Sequence, residues 1–322
     1  MGEGGSSAHN RHPHPTPLPP AGEGEFRARI QSARWRRESV FYLFALPFAG
    51  LTVVFGLWPI LLSIQVSFSA SASALRPSPE FIGLANYAEV LADPVFRASL
   101  ARTLLYTALA VAANLGFALG YAVLLHSPLV GRWRGLFRLA VFLPVVTPDI
   151  AGYVVWRWLY DQSFGALNAA LRLLGLPGFG GIASPATAML AVLIAELWHH
   201  AGFYVVIFLA NLAITDRALT EAAQIDGARA WQRFVFVTLP QLRPSIAVNL
   251  VYALIQFLKT FTVVVVMTKG GPNDATNFVS YDAYQAFDQA EYGQATAMAT
   301  ILFAIVLVIA LFAYRLTSQE RT

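Results

Sequence analysis

Two carboxylates, Asp149 and Glu196, stand inside apolar stretches of this sequence, and one ammonium, Lys259, stands inside another. Ionisable groups in such surroundings are costly, so they mark ion, proton or solute sites, or they pair with one another. A proton- or sodium-coupled carrier would use Asp149 and Glu196 as its ion sites. Otherwise either carboxylate neutralises Lys259 or Arg157, or lines an aqueous cavity. His199 and His200 are neighbours in sequence, and adjacent helical side chains project about 100° apart. They therefore do not converge on one metal, and face a cavity or a neighbouring span instead. Further on, Asn249, Tyr252, Gln256 and Lys259 are spaced by three, four and three residues, which places them on one helical face. A ring beside amide and ammonium groups suits a hydroxylated solute, so this set is the candidate substrate path. The same residues would also serve interhelical hydrogen bonding that holds a bundle together. Lys259 has three possible uses: snorkelling, pairing with a carboxylate, or attracting an anionic group on the solute.

Other chemistries find no support. The chain has no cysteine, which excludes disulfides, thiolate metal sites and cysteine nucleophiles. No nucleophile, base and acid converge in the pattern, and no metal-ligand spacing occurs, so no catalytic residue, metal or cofactor is expected. There is no Gly-x-x-x-x-Gly-Lys-[Ser/Thr] phosphate loop either, so ATP could be used only by a partner. "GGP" at 270–272 lacks the following Lys-Ser/Thr and reads as an external turn. His9, His12 and His14 lie in a Pro- and Gly-rich segment and read as part of a floppy tail rather than a metal site.

The elements that must carry these groups are membrane spans. Hydrophobic residues make up 57% of the 322 and charged ones only 12%, outside the range of a soluble domain of this size. About 20 mostly apolar residues cross the hydrocarbon layer. Six windows qualify, at 41–68, 103–125, 139–160, 189–214, 245–268 and 295–314. Backbone polar groups in lipid must be satisfied internally, which favours helix even where Asp149 and Lys259 interrupt the apolar run. Pro144 and Pro148 predict a kink just before Asp149. The fold class is therefore an all-α integral membrane protein of six helices. Residues 1–37 form a disordered cytoplasmic tail with little to bury, and 38–322 form the membrane domain. The first apolar run begins too late for a cleaved signal peptide.

Six crossings put both termini on one side, and 15 of the 22 Lys and Arg residues fall on that side. The excess predicts cytoplasmic termini, with Arg34, Arg36, Arg37 and Arg132, Arg134, Arg138 as the main anchors. The net charge of +4 thus reports membrane orientation and gives no reason to expect a nucleic-acid partner. A polar loop at 215–244 is cytoplasmic in this topology. Within it "RALTEAAQI" favours helix, Gly227 permits a turn, and Trp231, Phe234 and Val235 form the apolar face of a second helix. Pro240 and Pro244 are expected to end that helix. Small Ala222 and Ala223 allow close approach to a partner, with Glu221 free for a cationic group. Physics alone equally allows an interfacial helix lying on lipid headgroups.

The loop "EAAQIDGARAWQRFVFVTLPQLRP" (221–244) resembles the EAA loop of binding-protein-dependent ABC importer permeases. Glu221, Ala222, Ala223, Gly227, Leu239 and Pro240 match its pattern, with Asp226 beside the glycine. "FIGLANYAEVLADPVFRASLARTLLYTA" (81–108) and "MTKGGPNDATNFVSYDAYQAF" (267–287) resemble segments of the sugar-type permeases, relatives of MalF and of the glycerol-phosphate permease. The similarity covers roughly 38–316. It implies a type I importer bundle in the inner membrane, carrying a carbohydrate or polyol. It also implies three kinds of partner: a second related permease, cytoplasmic ATP-binding cassette subunits that receive the loop, and an external solute-binding protein. Members that carry glycerol phosphate esters make an anionic solute the alternative within the family.

Overall fold

A computed structural model describes residues 42–70 and 80–318, and the expected tail at 1–37 lies outside them. Among the described residues the regular elements are helical, apart from one isolated bridge between Ser69 and Phe81. By contacts the chain divides between Leu61 and Leu62. The first unit contributes residues 42–61 of helix α1 (Tyr42–Ser67), whose large apolar side chains, Phe44, Phe48 and Phe55 among them, are exposed.

The second unit is built around two long helices, α3 (Pro94–His126) and α7 (Pro185–Ile214). A short helix α2 (Ala85–Ala92) precedes α3. The start of α3 is fixed by Asp93, whose carboxylate accepts from the Val95 and Phe96 amides, with Pro94 in the first turn. Small buried residues line the packing faces: Ala110, Ala118 and Ala122 on α3, and Ala188, Ala191 and Ala195 on α7. Lipid gives helices no hydrophobic reason to associate, so such residues supply close van der Waals contact.

Among the described residues four helices are long and apolar enough to cross a membrane, rising to six if each of two bent pairs counts as one span. The expected spans at 41–68, 103–125, 189–214 and 295–314 fall on α1, α3, α7 and α12 (Tyr292–Ser318). The other two are broken. Across 139–160 the chain runs through α4 (Arg134–Phe142), a tight turn at Leu143–Val146 and then α5 (Asp149–Leu159), with a bend of 105°. Thr147 and Pro148 are extended, as expected where a proline pushes its predecessor out of the helical region. The expected kink is thus a full break. A short helix, α6 (Ala166–Leu173), follows α5.

The window 245–268 is not one helix either. Helix α10 (Arg243–Leu258) stops at Leu258, and Lys259 caps its C-terminus. The next residues, 260–266, are β-branched or aromatic and propagate a helix poorly, and a cation is favoured at a helix C-terminus. A wide turn at Val264–Thr268 completes the segment. Beyond it α11 (Val279–Asp288) is pinned to α3: Ser99 Oγ donates to Asp282 Oδ2 at 2.8 Å, and the Val279 amide donates to Thr103 Oγ1 at 3.0 Å. Burial pushes the Asp282 carboxyl above the usual carboxylate range, partly offset by the bonds from Ser99 and Asn277.

Candidate functional site

The loop expected at 215–244 is two helices closed into a clasp. Helix α8 (Arg217–Ile225) begins at Asp216, whose carboxylate accepts from the Ala218 amide at 2.8 Å. It ends in a Schellman turn: the Ala228 amide reaches back to the Ala223 carbonyl at 2.9 Å, and Gly227 takes a left-handed φ of 80°. No side chain crowds Gly227, so backbone conformation alone selects glycine there. Helix α9 (Ala230–Gln241) follows, opened by Gln232 Oε1 accepting from the Arg229 amide at 2.7 Å.

The prolines do not end α9 as expected. A widened turn at Phe234–Thr238, with Leu239 N–H bonding the Phe234 carbonyl, carries the helix across Pro240. The wider ring makes room for a residue with no donor. The bend comes at Leu242, where α9 and α10 meet at 68°, and Pro244 sits in the first turn of α10, where no amide donor is needed.

Gln241 ties the clasp shut by accepting from the Asp216 amide at 3.0 Å. Just inside, Asn211 Nδ2 donates to Ser245 Oγ at 3.1 Å, joining α7 to α10. Above this mount the surface is open: Glu221, Ala222, Asp226, Gly227 and Pro240 are exposed, while Ala223 and Leu239 are half-buried. Leu219, Ile225, Trp231, Val235 and Phe236 expose apolar area to the surroundings. A notch of about 370 Å³ lies between the two helices, lined by Ala223, Asp226, Gly227, Arg233 and Phe236.

The candidate path residues lie on α10 and, for Lys259, at its C-cap, but not in one environment. Asn249 is fully buried and donates to the Tyr204 carbonyl of α7 at 3.3 Å. Tyr252 is exposed and lies over Phe203 with ring centroids 4.5 Å apart, and Gln256 is half-buried. Lys259 is exposed at the helix end, beside a groove of about 240 Å³ lined by Ser280, Leu302, Phe303 and Val306. Neither carboxylate neutralises it. Asp149 instead contacts His199, with Oδ1 and Nε2 3.0 Å apart, and Glu196 accepts from Tyr153 and contacts His200. Sequence reasoning left open what faces these carboxylates, and did not single out Tyr153. Of the two alternatives left open for the histidines, a cavity or a neighbouring span, their contacts with Asp149 and with the Phe257 ring are to neighbouring segments. Among the described residues no group of three or more His, Cys, Asp or Glu is placed to hold a metal.

Residues 116–321 match the family described as "binding-protein-dependent transport system inner membrane component". The trehalose/maltose transport system permease MalF of Thermococcus litoralis is 31% identical over 85% of this chain and 92% of its own length. The sn-glycerol-3-phosphate transport system permease UgpA of Agrobacterium fabrum is 31% identical over 90% and 99%. The diacetylchitobiose uptake system permease NgcF of Streptomyces coelicolor is 35% identical over 73% and 70%. In fold, a bacterial ABC transporter involved in importing the acidic polysaccharide alginate matches with a TM-score of 0.77, covering 91% of this chain and 100% of that one at 24% identity. A carrier working alone on a proton gradient is thereby set aside. The chain belongs to the binding-protein-dependent transport system inner membrane component family, and is a membrane permease subunit of an ABC importer rather than an enzyme.

Proposed function

We propose that this permease moves a carbohydrate or polyol into the cell, and that the clasp at residues 216–241 is the grip through which a separate ATPase drives it. The observation that carries the proposal is the contrast between the clasp's braced base and its open surface. Gln241 ties the two clasp helices together and Asn211 joins α7 to α10 beneath them, while Trp231, Phe236 and Ile225 leave apolar area uncovered. A rigid mount under an unfilled apolar surface suits a lever that another protein seizes. Glu221 then meets a basic group in the ATPase groove, and ATP-driven closure of an ATPase pair rocks the spans between outward and inward access. The clasp and both termini lie in the cytoplasm, and the chain sits in the inner membrane beside a second, related permease, receiving solute from an external binding protein. Sugar-carrying relatives support the cargo class.

The path runs along α10, where Asn249, Tyr252, Gln256 and Lys259 offer hydrogen bonds, a ring face and one positive charge. That charge favours a second reading of the cargo as anionic, such as a glycerol phosphate ester, in keeping with the UgpA relative. Co-purification of the ATPase tests the grip. Glu221→Ala should lower recovery of the ATPase by about tenfold or more, as expected for removing one partner of a buried charged pair. Full recovery, with the permease expressed normally, would overturn the docking role.

A further inference from the structure

Lys259 carries a charge in a place where charges are costly. Helix α10 puts 16 residues, about 24 Å of helix, between Leu242 at the bend and Lys259 at its C-cap. The groove beside Lys259 is walled on one side by Ala299, Leu302, Phe303 and Val306 of α12. These lie roughly 10–21 Å along that helix from Tyr292, its first residue. The hydrocarbon layer is about 30 Å thick, so Lys259 stands at hydrocarbon depth rather than among headgroups. Its side chain is exposed there, and among the described residues no carboxylate forms an ion pair with it.

The lining says what fits. On the α11 side Val279 and Ala283 add apolar surface, and Ser280 supplies the groove's one hydroxyl. A wall built for a polyol would present several hydrogen-bonding side chains, whereas this groove has one hydroxyl and one cation in an otherwise apolar slot. A lipid phosphate stays at the membrane boundary and does not reach this depth. Small Ala283 and Ala299 leave room for another helix to approach, which is how helices associate in lipid. A protein span is therefore the occupant that brings both an apolar surface and an anion to Lys259, and a charge at this depth is tolerated when paired inside a bundle.

We propose that this groove seats a span of the second, related permease, whose carboxylate pairs with Lys259 and accepts from Ser280 Oγ. The seat rests on the permease reading, which supplies the second chain, and it decides between the two cargoes. With its ammonium engaged, Lys259 is closed to an anionic solute, and the path is left to a neutral carbohydrate or polyol. The charge also selects the partner, because a span without a carboxylate would cover Lys259 and leave it unpaired. A second copy of this chain suits the seat poorly, since the carboxylates of its spans, Asp149 and Glu196, already contact His199 and His200.

The test is recovery of the second permease from the assembled transporter, captured through a tag on this chain. Lys259→Gln strands the partner's carboxylate, so recovery should fall about tenfold or more while this chain still inserts and elutes as folded protein. Ala299→Phe fills the groove without touching the charge and should lower recovery about fivefold; it carries the test if Lys259→Gln fails to fold. The chain has no cysteine, so Ala299→Cys provides its single thiol. Oxidation should join that thiol to a cysteine placed in a carboxylate-bearing span of the second permease. Full recovery in the folded variants, or no cross-link to any span, would overturn the seat. Full recovery with weakened uptake of a glycerol phosphate would assign Lys259 to an anionic cargo, and full recovery with loss of bound phosphatidylglycerol would assign the groove to lipid; either overturns it. A wild-type chain that carries solute with no second permease would overturn the permease reading and the seat together, whereas normal wild-type assembly that Lys259→Gln leaves intact would overturn the seat alone.

Discussion

The clasp and the buried polar cluster around Glu196 use polar residues in opposite ways. In the clasp, hydrogen bonds lie at the base and serve to present an apolar surface outward; Gln241 bonds Asp216 so that Trp231 and Phe236 stay in place. In the cluster, Tyr153 donates to Glu196 and Asp149 contacts His199, joining α5 to α7 within the bundle, with Glu196 and His199 almost fully buried. Removing a bond from the clasp therefore loosens a lever, whereas removing one from the cluster strands a buried charge or imidazole. The two glycines repeat the contrast. Gly227 is required by its φ, with open space around it, and Gly202 is required by space.

That contrast fails if substitutions in the two regions behave alike. The largest effect is expected at Gly202. Gly202→Val forces a backbone contact apart and should cost about 3 kcal/mol or more, read as loss of folded protein on size-exclusion chromatography. Glu196→Ala comes next, because Tyr153 and His200 lose a buried acceptor; a loss of about 2–3 kcal/mol is expected in thermal unfolding, and Glu196→Gln should recover most of it. Gly227→Val imposes a left-handed conformation on a β-branched residue in otherwise open space. It should cost about 1–2 kcal/mol locally, leave the melting temperature of the spans unchanged and reduce ATPase recovery. If Gly227→Val instead unfolds the bundle, the clasp is part of the core and the distinction disappears.

The smallest effect concerns Asp282, which belongs to neither region. Its folded-state carboxyl titrates above the unfolded value of about 3.9, so its contribution to stability is fully present below that value. The contribution is lost as pH rises through the folded value. Thermal stability should therefore fall slightly on going from acid towards neutral pH, and Asp282→Asn should remove that slope while Ser99 keeps an acceptor. A slope unchanged in Asp282→Asn would assign it to another group.

Much of this was legible in the sequence because hydropathy reports membrane burial directly, and the runs at 103–125, 189–214 and 295–314 lie within single helices. Pro148 likewise announced the bend before Asp149, since proline acts on its own predecessor. The end of α10 at Leu258 was not read from hydropathy, because the apolar run resumes beyond Lys259 through Val266; the β-branched run after Thr260 was the available signal. Pro240 misled for the opposite reason, because a widened turn upstream relieved the clash that normally stops a helix. The cluster around Glu196 left no local trace. Asp149 and His199 are 50 residues apart, and only the crossing of α5 over α7 brings them within 3.0 Å.

The most direct test of the central claim is ATP-dependent solute uptake by the assembled transporter carrying Glu221→Ala, with permease abundance and membrane insertion confirmed in parallel. Uptake should fall by at least about tenfold while solute still reaches the external face, because the drive no longer reaches the spans. Undiminished uptake would mean that the clasp is not where the motor takes hold.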